Sequence, residues 1–123
     1  MKKTYSLLVV DSNPYIRGFI KRELGNYGYQ VAEAANIQEI RAWIQGTKPL
    51  DLIIIDPDLP DASETHIIHQ IHAVRPNLPL VLHAFGVGDH SRGNRRGITA
   101  FIQKSGSSIE DLKKTIASIL PLQ

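Results

Sequence analysis

Two continuous apolar runs that each end in an aspartate constrain the fold of this 123-residue chain more than any other feature. They are LLVVD at residues 7–11 and LIIID at residues 52–56. A run of Val, Ile and Leu without polar alternation suits a strand that helices cover on both faces, as in a parallel sheet. Ligands of such sheets bind beyond the carboxyl ends of the strands. We therefore expect Asp11 and Asp56 to lie close together, at a site for a cation or a phosphoryl group.

A third apolar run carries a basic residue at its end. The sequence AFIQ at residues 100–103 is followed by Lys104, which would come to the same edge of the sheet. A single acid at the end of a strand is usually a helix cap or part of a solvated turn. Two acids and a lysine that converge on one edge instead indicate a site for phosphoryl chemistry.

Strand and helix patterns alternate along the whole chain, which predicts one doubly wound α/β domain over residues 1–123 with a five-stranded parallel sheet. Asn13, followed by a proline, and Asn36 are predicted helix caps. Ser107 or Ser108 should cap the last helix, and Asp111, three residues after Ser108, fits a capping box there. Residues 85–97 contain four glycines, so the fourth helix should be short or irregular. The predicted strands are 5–11, 29–34, 50–56, 80–84 and 98–103.

Composition limits the classes of function. The 14 basic and 12 acidic residues give a net charge of +2, which does not point to nucleic acid, and the basic cluster at residues 90–96 is predicted to be a solvated loop. The chain has no cysteine, so disulfides and thiolate metal sites are excluded. No apolar stretch reaches the roughly 20 residues of a membrane helix. We expect a cytoplasmic protein without a membrane partner.

Three motifs in this order resemble a known family. They are LVVDSNP at residues 8–14, DPDLP at residues 56–60 and FIQK at residues 101–104. Together they resemble the receiver domain of two-component response regulators, over nearly the whole chain. The resemblance implies a flavodoxin-like (βα)5 fold. It also implies a signalling phosphoacceptor with at most self-dephosphorylation, rather than an enzyme.

The resemblance assigns a role to each site residue. Asp56 would accept a phosphoryl group from a histidine kinase or a phosphotransfer protein. Mg²⁺ would be held by Asp11, Asp56 and the backbone carbonyl of Asp58, since oxygen ligands suit this ion. Lys104 would contact the phosphoryl oxygens as a point charge. The cognate kinase and the downstream protein or effector domain are not named by the sequence.

Two of the positions that depart from the family pattern bear on the metal and on the switch. Ser12 stands where a second metal-binding acid is usual, so it should be a weak ligand and magnesium affinity should fall. The side chain of Asp58 could compensate in part. His83 stands at the switch position, where the family has threonine or serine; an imidazole can donate a hydrogen bond but is far larger. We therefore expect an atypical switch.

Two alternatives remain open. The chain could be a pseudo-receiver, which binds a protein partner without phosphorylation. The pair Asp56 and Asp58 is also similar to the nucleophile and acid of haloacid-dehalogenase phosphatases. That family places the pair on its first strand and needs a longer chain, so we rank this alternative last.

Overall fold

A computed structural model of the chain describes residues 4–61, 64–85 and 97–122, with the side chains of residues 64–66 excepted. The predicted alternation of strands and helices is present from the first strand to the fourth, and the fifth strand is again followed by a helix. In chain order the elements are β1 (Ser6–Val10), α1 (Pro14–Tyr27), β2 (Gln30–Ala34), α2 (Ile37–Gln45), β3 (Leu52–Ile55), α3 (Glu64–Val74), β4 (Leu80–Ala84), β5 (Ala100–Gln103) and α4 (Ser108–Ile119).

The five strands form one parallel sheet in the order β2-β1-β3-β4-β5. Alternate residues of each central strand enter two different cores. Leu8 and Ile53 lie in a core with residues of α2 and α3, whereas Leu7 and Leu52 lie in a core with residues of α1 and α4. Both faces of the strands are therefore buried, which explains the uninterrupted apolar runs. The predicted doubly wound, flavodoxin-like fold is confirmed.

Local capping signals explain where the first two helices begin. The side chain of Asn13 accepts hydrogen bonds from the backbone of Tyr15 and Ile16, with Pro14 as the first helical residue. The Asn36 side chain accepts a hydrogen bond from the backbone N–H of Glu39 at 2.9 Å. Both predicted caps are confirmed. Each cap satisfies backbone donors that the first helical turn cannot pair internally.

The last helix begins at one of its two predicted cap residues but lacks the predicted capping box. Ser107 is its cap residue and makes no side-chain capping bond, while Ser108 is already helical. The predicted capping box of Ser108 with Asp111 is wrong, because the Ser108 hydroxyl turns inward to other partners. The short or irregular helix that the sequence predicts between β4 and β5 falls largely on residues 86–96, which lie outside the described residues. Within the described part of the chain, no helix is long and apolar enough to span a membrane.

Candidate functional site

The two strand-end aspartates lie side by side and are held in the same way. β1 and β3 are neighbours in the sheet, so Asp11 and Asp56 leave it at the same edge. They are 2% and 7% exposed. In each carboxylate, Oδ1 accepts a 2.9 Å hydrogen bond from the backbone N–H two residues later, from Asn13 and Asp58 respectively. These bonds fix both carboxylates and leave each Oδ2 oxygen available for other contacts.

Lys104 joins both of the remaining oxygens. Its Nζ lies 2.5 Å from Oδ2 of Asp56 and 2.8 Å from Oδ2 of Asp11. Burial lowers the pKa of Lys104, but hydrogen bonds and the negative charges of the two aspartates outweigh it, so the pKa lies above its ordinary value. The ammonium therefore stays charged at neutral pH. It offsets the repulsion between two buried carboxylates.

The site carries one oxygen suited to a cation. Oδ2 of Asp11 is within ion-pair distance of Lys104, yet it is buried and has no partner of hydrogen-bond geometry among the described residues. Such an oxygen fits a magnesium ligand, because Mg²⁺ prefers carboxylate oxygens. No cluster of three or more acidic, histidine or cysteine ligands occurs among the described residues. Ser12 is exposed and adds no charge, so the donor set fits Mg²⁺ with two carboxylates only.

The loop after β3 is tied to the site and to a neighbouring helix. Its residue Asp58 reaches Asp56 through its backbone N–H, and its side chain is exposed. Further along, both carboxylate oxygens of Asp61 accept from the backbone N–H of Ile37 at 3.1 Å. Ile37 is the first residue of α2. The loop that begins at Asp56 is thus anchored at both ends.

His83 lies beside the triad of Asp11, Asp56 and Lys104 but bonds elsewhere. It is 4% exposed at the end of β4, and its Nε2 is 3.0 Å from Oγ of Ser108 on α4. Burial, and then the positive charge of Lys104, lower the pKa of His83 to about 4. The imidazole is therefore neutral at neutral pH. Its hydrogen bond leads to the last helix.

Three further residues shape the site, and the sequence analysis did not single them out as site residues. Arg17 donates from Nη1 to the backbone carbonyl of Asp11 at 2.8 Å. Phe85, which is 71% exposed, places its ring 5.0 Å from Nζ of Lys104 in a cation–π contact. Oγ of Ser108 lies 3.0 Å from Nε2 of His83. An aromatic directly after a buried strand was a signal that could have indicated Phe85; the contacts of Arg17 and Ser108 depend on the fold.

An open cavity of about 470 Å³ lies beside Lys104, between α1 and α4. Its walls are mainly apolar. Tyr15 and Phe19 of α1 lie on one side and are exposed, as is Phe85 near the triad. The site therefore opens onto an apolar and aromatic surface.

Comparison with known proteins agrees with this geometry. The family model described as response regulator receiver domain matches residues 7–117. The response regulator protein PilR of Pseudomonas aeruginosa is 28% identical over 118 residues, which are 94% of this chain and 26% of PilR. This chain spans 16% to 32% of the length of the curated relatives that it matches.

Solved structures share the fold. A two-component response regulator from Clostridium difficile has a TM-score of 0.85 at 24% identity, covering 95% of this chain and 96% of that one. The response regulator TrrA from Thermotoga maritima, in complex with Mg²⁺ and BeF, has a TM-score of 0.83 at 24% identity, covering 94% and 99%. By its fold and by the family model that spans most of its length, the chain belongs to the response regulator receiver domain family of two-component systems.

Proposed function

We propose that this receiver domain accepts a phosphoryl group on Asp56, from a phosphohistidine of a histidine kinase or a phosphotransfer protein. The observation that carries this proposal is the triad of Asp11, Asp56 and Lys104 at the carboxyl edge of the sheet. Its lysine lies within ion-pair distance of both carboxylates. Phosphoryl transfer needs mainly positioning and neutralisation of charge, and the triad supplies both.

The proposed step is a transfer between two nucleophiles. A carboxylate oxygen of Asp56 attacks phosphorus, the bond from phosphorus to the donor imidazole breaks, and an acyl phosphate forms. The donor imidazole leaves with the bonding electron pair and takes a proton from solvent. Lys104 stabilises negative charge on the phosphoryl oxygens, since it already lies beside Asp56. The chain is thus a phosphoacceptor rather than an enzyme with a separate substrate.

A magnesium ion would serve this step by offsetting the repulsion between carboxylate and phosphate. Asp11, Asp56 and the backbone carbonyl of Asp58 are the proposed ligands, with Ser12 as a weaker one. Oδ2 of Asp11 supports this assignment, because it is buried and has no partner of hydrogen-bond geometry among the described residues, although Nζ of Lys104 lies 2.8 Å away. The related receiver TrrA, whose structure contains Mg²⁺ and BeF, supports it as well.

The exposed aromatic surface beside the triad suits a protein donor. Tyr15, Phe19 and Phe85 are exposed and line the cavity beside Lys104. Burying such side chains against a partner removes apolar area from water. We propose that the phosphohistidine protein covers this surface during transfer.

Incubation with a small phosphoramidate donor and Mg²⁺ tests the proposal. The expected result is a gain of one phosphoryl group by intact-mass spectrometry, which hydroxylamine removes because it cleaves acyl phosphates. Asp56→Asn is the matched control, since it removes the nucleophile with little change in size. Phosphorylation that survives in this variant, or that resists hydroxylamine, would contradict the assignment of Asp56.

One observation favours a second function, a pseudo-receiver that binds its partner without switching. His83 bonds to Ser108 instead of presenting a small hydroxyl near Asp56. Ser12 also removes one acid from the expected metal site. In that case the unmodified domain would bind its partner as well as a phosphorylated one.

A further inference from the structure

His83 begins a series of two hydrogen bonds, the first buried and the second partly buried, that ends on a backbone carbonyl. Its Nε2 is 3.0 Å from Oγ of Ser108, and this Oγ is 3.0 Å from the carbonyl oxygen of Ser105. A carbonyl can only accept, so the single hydroxyl hydrogen of Ser108 is donated to Ser105. Oγ then accepts from His83. The geometry therefore assigns the proton of the neutral imidazole to Nε2.

These hydrogen bonds lie next to a backbone contact of Lys104. Ser105 follows Lys104 directly, and the backbone N–H of Lys104 donates to the carbonyl of Ala84 at 2.8 Å. Ala84 in turn follows His83. The end of β4 thus holds the backbone of residues 104–108 at two points, through the sheet at Lys104 and through the imidazole at Ser108. The side chain of Lys104 extends from this held segment toward Asp11 and Asp56.

A lysine side chain has four rotatable bonds and a limited reach, so its ammonium meets both carboxylates only while the backbone holds its Cα at the right distance from them. Here the backbone is a turn between a four-residue strand and the first residue of α4. Ser107 contributes no side-chain cap to this turn. Within the turn, Oγ of Ser105 accepts a hydrogen bond from the backbone N–H of Ser107 at 3.2 Å. The bond between His83 and Ser108 adds a side-chain restraint that ties the start of α4 to β4.

We propose that His83 is a positioning residue, which acts through Ser108 to hold the turn at residues 105–108 so that Nζ of Lys104 stays between Asp11 and Asp56. In this role His83 does not contact the phosphoryl group. The inference deepens the proposed function, because Lys104 is the cation that would meet the transferred group. Its structural part, the placement of the ammonium, does not depend on phosphorylation.

The first experiment measures the ammonium of Lys104 directly, in the unphosphorylated protein without metal. Its ¹⁵N–¹H resonance is assigned by its loss in Lys104→Met, and its rate of hydrogen exchange with water is measured at one pH. In His83→Leu and in Ser108→Ala we expect this rate to rise about tenfold, since a local restraint is lost. His83→Gln keeps an N–H near the position of Nε2 and should keep the slow rate. An unchanged rate in both His83→Leu and Ser108→Ala would overturn the inference.

The second experiment separates positioning from direct contact by a double-mutant cycle. The rate of phosphorylation by a small phosphoramidate donor should fall about tenfold in His83→Leu, as for a small misplacement of a reacting group. In the background of Lys104→Met, the same substitution should have no further effect. An equal loss in both backgrounds would show that His83 acts on the phosphoryl group itself, and would overturn the inference.

The two experiments also distinguish the two proposals. If the wild-type protein is not phosphorylated while the Lys104 resonance responds as expected, the proposed function fails and the positioning role stands. Ser108→Ala changes only one hydroxyl at the start of a helix, so it tests the same bond if His83→Leu does not fold.

Discussion

Lys104 and a magnesium ion would compete for the same two carboxylates. Nζ already lies within 2.8 Å of Oδ2 of both Asp11 and Asp56, and all three side chains are buried. The ammonium of Lys104 already offsets the negative charge of the two carboxylates. A magnesium ion must compete with it and must also lose part of its own hydration shell. In this chain Ser12 stands where the family usually supplies one more acid. The net charge of the site, with two carboxylates and one ammonium, is only one unit negative.

A third carboxylate should change this balance. We predict that Ser12→Asp binds Mg²⁺ about tenfold more tightly than the natural sequence, because one more negative charge at about 4 Å from the ion contributes a few kcal/mol in a partly screened site. Titration with Mg²⁺, followed by amide shifts of residues 11–13 and 56–58, measures both affinities. Ser12→Asn is the control, since it adds an oxygen ligand without charge. Equal affinities would mean that the side chain of Asp58 already supplies the missing charge.

The junction between α3 and β5 depends on a single glycine. Gly97 has φ +83°, and a Cβ there would lie 2.2 Å from Cε1 of His72 near the end of α3. The His72 ring is itself held, with Nε2 3.2 Å from the carbonyl of Leu78 before β4. Both the backbone conformation and the space at this position therefore favour glycine.

Alanine at this junction should destabilise the fold. We predict that Gly97→Ala lowers the free energy of unfolding by about 1–3 kcal/mol, from the strained φ and the clash with His72. Gly18→Ala is the matched control: Gly18 lies inside α1 with nothing within 4 Å of its ideal Cβ, so this change should stabilise by about 0.5–1 kcal/mol through helix propensity. Urea denaturation measures both. If Gly97→Ala is as stable as the natural chain, the turn can adopt another conformation.

Signals that act over a few residues were readable in the sequence, and contacts over long separations were not. Asn13 and Asn36 cap their helices because each bonds to a backbone N–H two or three residues away. Ser108 looks like a cap by the same rule, yet its hydroxyl is drawn inward by His83, 25 residues distant. The positions of Asp11, Asp56 and Lys104 could be predicted, since the ends of parallel strands share one edge. Which carboxylate oxygen faces Lys104 could not be predicted. In both aspartates it is Oδ2, because Oδ1 already accepts a hydrogen bond from a backbone N–H.

Across the whole molecule, the site is connected to the last helix more directly than to the start of the last strand. Lys104 continues into the turn that His83 and Ser108 hold. Phe101, in contrast, is half-buried against the core formed with α2 and α3. Coupling requires that the phosphoryl group interact differently with two arrangements of the domain. In this chain His83, at the switch position, is already bonded to Ser108.

We therefore predict a localised response to phosphorylation. With Mg²⁺ and a beryllium fluoride mimic, amide shifts should be large at Asp11, Asp56 and residues 104–108, and small at residues 98–101. Asp56→Asn is the control, since it should not hold the mimic. Large shifts at residues 98–101 would show that His83 switches after all. A protein whose affinity for its partner is the same with and without the mimic would support the pseudo-receiver instead.

The strand order also gives the acidic and basic residues of the site backbones of different local stability. Asp11 and Asp56 follow β1 and β3, and each of these strands pairs with two neighbours. Lys104 follows β5, which among the described residues pairs only with β4. Backbone amides of interior strands exchange with water only in large openings, whereas an edge strand can open in smaller ones. An opening of β5 together with α4 would withdraw the ammonium and leave two bare carboxylates on an intact sheet. The ammonium of Lys104 is therefore the part of the site that can leave first. The net negative charge beside Asp11 and Asp56 depends on whether the edge strand β5 stays paired.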